Sequence, residues 1–371
     1  ETPTAANLEA YAEIIRQSSV ARQLMKATSE IAELINNPQG MDGYSLLDEA
    51  ERKIFSLNDE ANRSQSSILS MKELIPKSID RLHQLAESGS KLLGSSTGFK
   101  AIDNKLQGLQ DGDLIVVAGR PSMGKTALAM NIAENVLVEN DENTGAVLVF
   151  SLEMPAESLT TRLLSGMSRL DQQDVRSGKL DNKQVTQVVE QSKRLRELPI
   201  YIDDSSLISP MELRARARRV NRQEPNGLSL IVVDYLQLMQ VPGSLENRVN
   251  QISEISRSLK SLAKELNVPV LALSQLNRAV EQRTDKRPMM ADLRDSGAIE
   301  QDADVILFIY RDEVDNEDSD QGNNDEIIIE KQGNGPISKT YHNFLKQYER
   351  FENVYPDDRL HSEDPDSKLE G

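Results

Sequence analysis

The stretch Gly119-Arg120-Pro121-Ser122-Met123-Gly124-Lys125-Thr126 carries residue types whose spacing specifies one chemistry. Its glycines let successive backbone N–H groups close around phosphates, Lys125 can reach the β/γ-phosphates, and the Thr126 hydroxyl can ligand Mg²⁺. The apolar run Leu114-Ile115-Val116-Val117-Ala118 precedes it, and the helix-compatible Ala127–Val138 follows. An unrelated glycine turn would need neither flank. The expectation is a site for ATP and Mg²⁺ formed by Gly119, Arg120, Pro121, Ser122, Met123, Gly124, Lys125, Thr126 and Ala127.

Further candidates are polar residues that close apolar, strand-like runs, because ligands of α/β sheets sit at the carboxyl ends of the strands. Asp234 closes Leu230-Ile231-Val232-Val233. A carboxylate there can hold Mg²⁺ beside the loop threonine, the alternative being a helix or turn cap. Glu153 follows Ala146–Ser151 and can orient and polarise the attacking water; otherwise it is an acid of a first helical turn beside Pro155. Gln275, after Val270–Ser274, can sense the γ-phosphate or simply serve as a structural amide.

Elements must place these residues together. Short β-rich runs at Ala146–Ser151, Ile200–Asp203, Leu230–Asp234, Val268–Ser274, Val305–Tyr310 and Glu326–Lys331 alternate with helical patterns such as Ile252, Ile255, Leu259, Leu262 and Leu266. That alternation predicts an α/β fold with a mostly parallel sheet covered on both faces. Upstream, apolar residues from Leu8 to Ile35 recur at helical spacing until Asn36-Asn37-Pro38-Gln39-Gly40, and Ser45 with Asp48 resembles a capping box for a second helix. A helical hairpin with so thin a core is expected to pack on something else. Met71, Leu74, Ile75, Ile79, Leu82 and Leu85 mark a further amphipathic helix between the serine-rich Asn62–Ser70 and the glycine-containing Ser88–Gly98, both read as flexible. That helix either docks on a neighbouring molecule or folds back on its own domain. The divisions are then residues 1–61, a helical hairpin; 62–98, a linker with a docking helix; 99–355, the nucleotide-binding domain; and 356–371, an acidic tail.

Composition narrows the function. The chain of 371 residues has no cysteine, so disulfides and thiolate metal sites are excluded, and its three histidines argue against a histidine-rich metal centre. No apolar run approaches the roughly 18 residues that span a bilayer. The start at Glu1 is neither a signal peptide nor an initiator methionine, so a soluble, cytoplasmic fragment is expected. A formal charge of −17 excludes a broad basic surface but not a confined nucleic-acid site. The basic stretch Arg214–Arg222 reads as a solvated or intersubunit face rather than such a site.

Taken together, Arg120–Thr126, Ser151-Leu152-Glu153-Met154-Pro155, Asp234-Tyr235-Leu236-Gln237-Leu238-Met239, Ser274-Gln275-Leu276-Asn277-Arg278 and Asp292-Leu293-Arg294-Asp295-Ser296-Gly297 resemble the bacterial replicative helicases of the DnaB type. The resemblance runs from about Thr2 to about Val354. It implies a RecA-like ATPase core in a homo-hexamer, with the hairpin as the remnant of an N-terminal domain and Met71–Ala86 docking on the adjacent subunit. It also implies single-stranded DNA in a central channel, held by Arg294 and by backbone amides around Asp295 and Gly297, and contacts with primase and a helicase loader. Asp295 stands where the family carries Glu. The family pattern Lys-Gln-Arg-Asn-Gly-Pro, whose Lys and Arg reach into the neighbouring ATP site, reads here Lys331-Gln332-Gly333-Asn334-Gly335-Pro336. The finger arginine is missing, while Phe344, Tyr348 and Phe351 beyond it keep the register. Either another cation substitutes, or hydrolysis is impaired, or the position was altered. The expected function is an ATP-driven helicase in which Glu153, Lys125, Gln275 and Lys331 serve catalysis. A RecA-like ATPase of recombination or clock type, or a hydrolysis-impaired assembly module, are the alternatives.

Overall fold

The computed structural model describes residues 5–38, 92–140, 144–241, 248–293, 297–315, 325–333 and 337–354, with scattered positions from 40 to 54 and from 70 to 83. The chain divides into two units, Glu1–Ser88 and Gly89–Gly371. In the first, helix α1 (Ala5–Asn36) ends where Pro38 forbids another turn. Its apolar residues Tyr11, Ile14, Ile15, Leu24, Met25 and Ile35 are exposed. Lys53, on a second helical piece, reaches back to Glu30 at 2.7 Å. Ser45 and Asp48 of the expected capping box, and Leu82, Leu85 and Ala86 of the expected docking helix, lie outside the described residues; Met71, Ile75 and Ile79 are helical and exposed.

The second unit is built on a nine-stranded sheet in the order β3-β2-β4-β5-β1-β6-β7-β8-β9. The strands are β1 (Leu114–Gly119), β2 (Ala146–Ser151), β3 (Ile200–Asp203), β4 (Leu228–Asp234), β5 (Val270–Gln275), β6 (Val305–Tyr310), β7 (Asp325–Gln332), β8 (Ser338–Leu345) and β9 (Arg350–Asn353). Every pairing from β3 across to β6 is parallel, and β6 to β9 pair antiparallel. The central strands read as unbroken apolar runs because both faces are covered. In β1, Leu114, Val116 and Ala118 enter one core while Ile115 and Val117 enter the other. On the first face lie α7 (Pro210–Gln223) and α8 (Arg248–Leu266), and on the second α3 (Lys125–Glu139) and α4 (Ala156–Ser168). The other helices of this unit are α2 (Lys100–Leu106), α5 (Gln172–Ser177), α6 (Asn182–Glu197), α9 (Gly297–Asp302) and α10 (Asp312–Asp315).

Two features differ from the sequence reading. The described part of Ser88–Gly98 is not a loose spacer: Ser95 pairs with Leu109, and Thr97 donates to Asp103 from both its N–H and hydroxyl, at 3.0 and 2.8 Å. Gly94 serves close backbone approach rather than flexibility, since a Cβ there would lie 2.1 Å from the Leu109 carbonyl oxygen. The second difference is the pair β8 and β9: β8 alternates buried and exposed positions, but two of its buried residues, Thr340 and His342, are polar, which hides the apolar pattern. β9 closes on α3 and α2: Phe351 N–H donates to Asn131 at 2.8 Å, Arg350 pairs with Glu134 at 2.8 Å, and Lys100 N–H donates to Asn353 at 2.9 Å.

His342 on β8 is fully buried edge-on to Phe99, ring centroids 5.3 Å apart. The Thr340 hydroxyl donates to the Ile327 carbonyl, so His342 Nε2–H donates to Thr340 Oγ1 at 3.0 Å, and Nδ1 has no partner among the described residues. Burial pushes its pKa down to about 4. Between the ordinary value near 6.5 and about 4, the unfolded chain takes up a proton that the native state refuses, so stability present above pH 6.5 is lost as pH falls. The loss is on the order of 3 kcal/mol by pH 4. Asp113, raised to about 6 by burial and by Asp304, acts with opposite sign. Urea titrations of the parent and of His342→Phe across this range isolate the histidine: the variant's profile should lack this decline.

Candidate active site

Strands β1, β2, β4 and β5 run parallel, so their carboxyl ends bring Gly119, Ser151, Asp234 and Gln275 to one edge of the sheet. Gly119 lies in register with Gln275, and Ser151 with Asp234. From that edge the loop after β1 turns into α3, with Ser122 and Gly124 at φ 66° and 91°. A cleft of about 510 Å³ opens there, lined by Lys125, Thr126, Glu153, Asp234 and Gln275 among others. Residues read from four separate motifs therefore share one cavity.

Within the cleft, Thr126 Oγ1 donates to Asp234 Oδ2 at 2.8 Å. Asp234 is buried, which raises its pKa, while the Thr126 hydroxyl partly offsets the shift. Lys125 Nζ donates to the Gly119 and Arg120 carbonyls, both at 2.9 Å. Burial lowers its pKa to about 8 against the pull of Asp234 and Glu153, so the ammonium persists at neutral pH. An oxygen-only pair beside a retained cation suits Mg²⁺ and a polyphosphate.

Glu153 is exposed to the cleft on the turn between β2 and α4. The N–H that begins α4, Ala156 N, donates to Asp204 at 3.0 Å, so a carboxylate other than Glu153 serves that helix end. Gln275 N–H donates to Gln237 Oε1 at 3.2 Å, and Gln237 Nε2 donates to Ser274 Oγ at 2.8 Å. This pair of amides fixes the backbone at the end of β5.

Not every sequence candidate faces the cleft. Met123 is buried in the core, and Arg120 turns away: Nε and Nη2 donate to Glu281 at 2.8 and 2.6 Å, and Nη1 to the Leu276 carbonyl at 2.8 Å. Arg120 therefore does not line the cleft and is joined to it only through its carbonyl, which accepts from Lys125. Lys331, on β7, donates to the carbonyls of Glu300 and Ala303 at 2.5 and 2.6 Å, holding the C-terminal end of α9. It does not line the cleft of its own chain. Arg294 and Asp295 lie outside the described residues, and Gly297 is exposed at the start of α9. Three arginines of α7 are engaged internally, Arg214 and Arg218 with Glu265 and Arg216 with Asp203 at 2.6 Å, while Arg219 and Arg222 are exposed.

The cleft also holds residues that the sequence reading passed over, including Arg162, Arg311, Lys346 and Glu349. Arg162 pairs with Glu349 at 2.9 Å. Arg311 is buried, donates to Asp325 at 2.9 Å and to the Ser122 carbonyl at 3.3 Å, and stacks 4.3 Å over the Phe344 ring. It closes β6 as Asp234 closes β4, and that position is the signal that would have found it.

With this geometry in place, comparison with known proteins decides the family. The family described as DnaB-like helicase C terminal domain matches residues 94–353. The chain belongs to the DnaB-like helicases. It is 50% identical over 357 residues to the replicative DNA helicase DnaB of Pasteurella multocida, covering 95% of this chain and 76% of that protein. Against DnaB of Geobacillus stearothermophilus the identity is 44% over 360 residues, with the same coverage of both. Among solved structures, the ATPase domain of G40P superposes with a TM-score of 0.71 at 35% identity, over 76% of this chain and 99% of that one. A DnaB-like replicative helicase, solved in a study of its interactions with primase, gives 0.76 at 29% identity, over 95% of this chain and 81% of that one. The DnaB-like chain is thus an ATP-dependent replicative DNA helicase with a RecA-like, mostly parallel α/β domain. A recombination or clock-type ATPase is set aside by these identities.

Proposed function

We propose that the cleft binds Mg-ATP and that its hydrolysis drives a homo-hexameric ring along single-stranded DNA, parting the duplex ahead. The observation that carries this reading is the Thr126–Asp234 contact beside Lys125, with Glu153 and Gln275 lining the same cleft. Thr126 and Asp234 would hold the metal, and Lys125 would leave its two carbonyls for the β/γ-phosphates. The bound ion would neutralise charge developing on the transferring phosphoryl group. Glu153 orients and deprotonates the attacking water, and Gln275 reports loss of the γ-phosphate to the strand end it terminates. Lys331 acts on the ATP site of the neighbouring subunit after giving up its carbonyl partners.

Arg294, Asp295 and Gly297 form the DNA contact, a footprint confined enough for a chain of charge −17. The exposed Met71, Ile75 and Ile79 support docking of their helix on the adjacent subunit; residues 1–61, 99–355 and 356–371 keep the roles assigned above, and the linker ends short of Ser95, which is paired into the ATPase domain. Primase and a helicase loader are the further partners of such a ring. No described helix is long and apolar enough to cross a membrane, and the cytoplasm is the proposed compartment.

ATP hydrolysis measured with and without single-stranded DNA, alongside oligomeric state by light scattering, tests the whole reading. DNA stimulation confined to the hexameric species is expected; a DNA-indifferent monomer would reject it. Arg294→Ala should weaken single-stranded DNA binding across sequences and flatten its salt dependence by about 0.7 in log–log slope for each phosphate no longer neutralised. An unchanged affinity and slope would place the DNA elsewhere. Arg214–Arg222 is then the next place to test, with Arg219 and Arg222 its exposed cations.

A further inference from the structure

Arg120 belongs to the phosphate loop, yet its guanidinium grips a different segment. Residues 276–293 leave the end of β5 and return to it: Leu276 and Leu293 pair antiparallel, and Asn277 N–H donates to the Asp292 carbonyl at 2.9 Å. The Asp292 carboxylate fastens the returning limb, accepting from Met289 N–H at 2.9 Å and from Arg283 at 2.6 Å. Arg287 ties the segment to β7 through Glu326 at 2.6 Å. Its ends being joined, the segment is a compact loop, fastened to the domain by Arg287 on one side and Arg120 on the other. Arg120 holds it at the Leu276 carbonyl and at the Glu281 carboxylate. Arg294 is the next residue after the loop closes.

The same residue is tied to the phosphate site by its carbonyl, which accepts from Lys125 Nζ at 2.9 Å. A triphosphate competes for that ammonium. Once Lys125 turns to the phosphates, the Arg120 carbonyl keeps only the longer bond from Met123 N–H at 3.4 Å, so the peptide that carries the guanidinium is held less firmly. The contact has room to shift, since a cavity of about 70 Å³ adjoins it, lined by Arg120, Pro121, Val280, Glu281, Ile309 and Tyr310 among others.

We propose that Arg120 is a positioning residue that couples occupancy of the phosphate loop to the setting of the 276–293 loop, and through Leu293 to the strand contact at Arg294, with Glu281 as its anchor. This rests on the reading of Arg294 as the DNA contact. Coupling of this kind is reciprocal: nucleotide changes DNA affinity by the same factor as DNA changes nucleotide affinity.

The test uses Glu281, which lies outside the catalytic cleft and is half-exposed, so that its replacement leaves the fold intact. In the full ring, single-stranded DNA affinity is measured by fluorescence anisotropy with and without a non-hydrolysable ATP analogue, for the parent, Glu281→Ala and Glu281→Gln. Analogue affinity is measured with and without DNA. In the parent the two ratios should agree and differ from one. In Glu281→Ala both should fall toward one, while affinity for each ligand alone stays at the parent value. Glu281→Gln, which keeps the acceptor oxygen but not the charge, should fall between. A Glu281→Ala ratio equal to the parent's overturns the proposal, as does a drop in DNA affinity that is the same with and without nucleotide, which would be a merely structural effect. Arg294→Ala run in parallel separates the two failures: if it leaves DNA affinity untouched, it is the DNA site that was misplaced.

Discussion

Lys125→Ala abolishes ATP hydrolysis, whereas Glu153→Gln binds nucleotide as the parent does and loses turnover by about 10²–10⁴. The two differ in kind because the side chains act at different stages. Lys125 is the retained cation of the cleft, its ammonium held by the Gly119 and Arg120 carbonyls until phosphates replace them, and without it both ground-state binding and charge stabilisation fail. The Thr126 hydroxyl is given to Asp234 and the end of α4 is served by Asp204, which leaves the Glu153 carboxylate open to a water molecule. Fluorescent-nucleotide titration together with single-turnover hydrolysis reads both quantities. Glu153→Gln hydrolysing at the parent rate would return the residue to a structural role.

Gly333→Arg raises ATPase activity at least roughly tenfold, a low bar against the 10³–10⁵ that arginine fingers contribute to phosphoryl transfer. The family places an arginine at this position. Here nothing among the described residues lies within 4 Å of where a Cβ would stand, so the start of a side chain is unobstructed. Lys331, two residues earlier, is a poor substitute on two grounds. A point-charge ammonium lacks the planar fork of guanidinium, and this one is engaged with the carbonyls of Glu300 and Ala303. The gain should appear only at concentrations where rings form, since the finger acts on the next subunit. Turnover plotted against subunit concentration decides it: a parent already as fast as the variant means that another residue supplies the finger, or that this ring does not need one.

Local signals carried much of this molecule. The phosphate loop, Asp234 and Gln275 were readable because each closes a buried strand, and a parallel sheet sends all such ends to one edge. Boundaries were less legible: β5 starts at Val270, because the proline before it cannot donate to a ladder, and β4 reaches back to Leu228. What the sequence hid was partnership over distance. Nothing local says that Arg120 turns from the phosphates to Glu281, 161 positions on, or that Arg311 reaches Ser122 across 189. Gly94 looked like a hinge and is a tight seat, because a glycine's spacing cannot say whether freedom or proximity is its purpose.

The closing strand has a consequence for how the enzyme comes into being. The phosphate loop lies in the first half of the chain, but the cleft's far wall, Phe344 with Lys346 and Glu349, and the β9 contact that secures α3 come near its end, with Phe351 meeting Asn131 over a separation of 220 residues. A ribosome delivers the loop long before the wall, and closing so long a span is among the slower events of folding. The nascent chain therefore carries a complete nucleotide motif with no complete pocket around it, and competence to hold ATP arrives with the last strand.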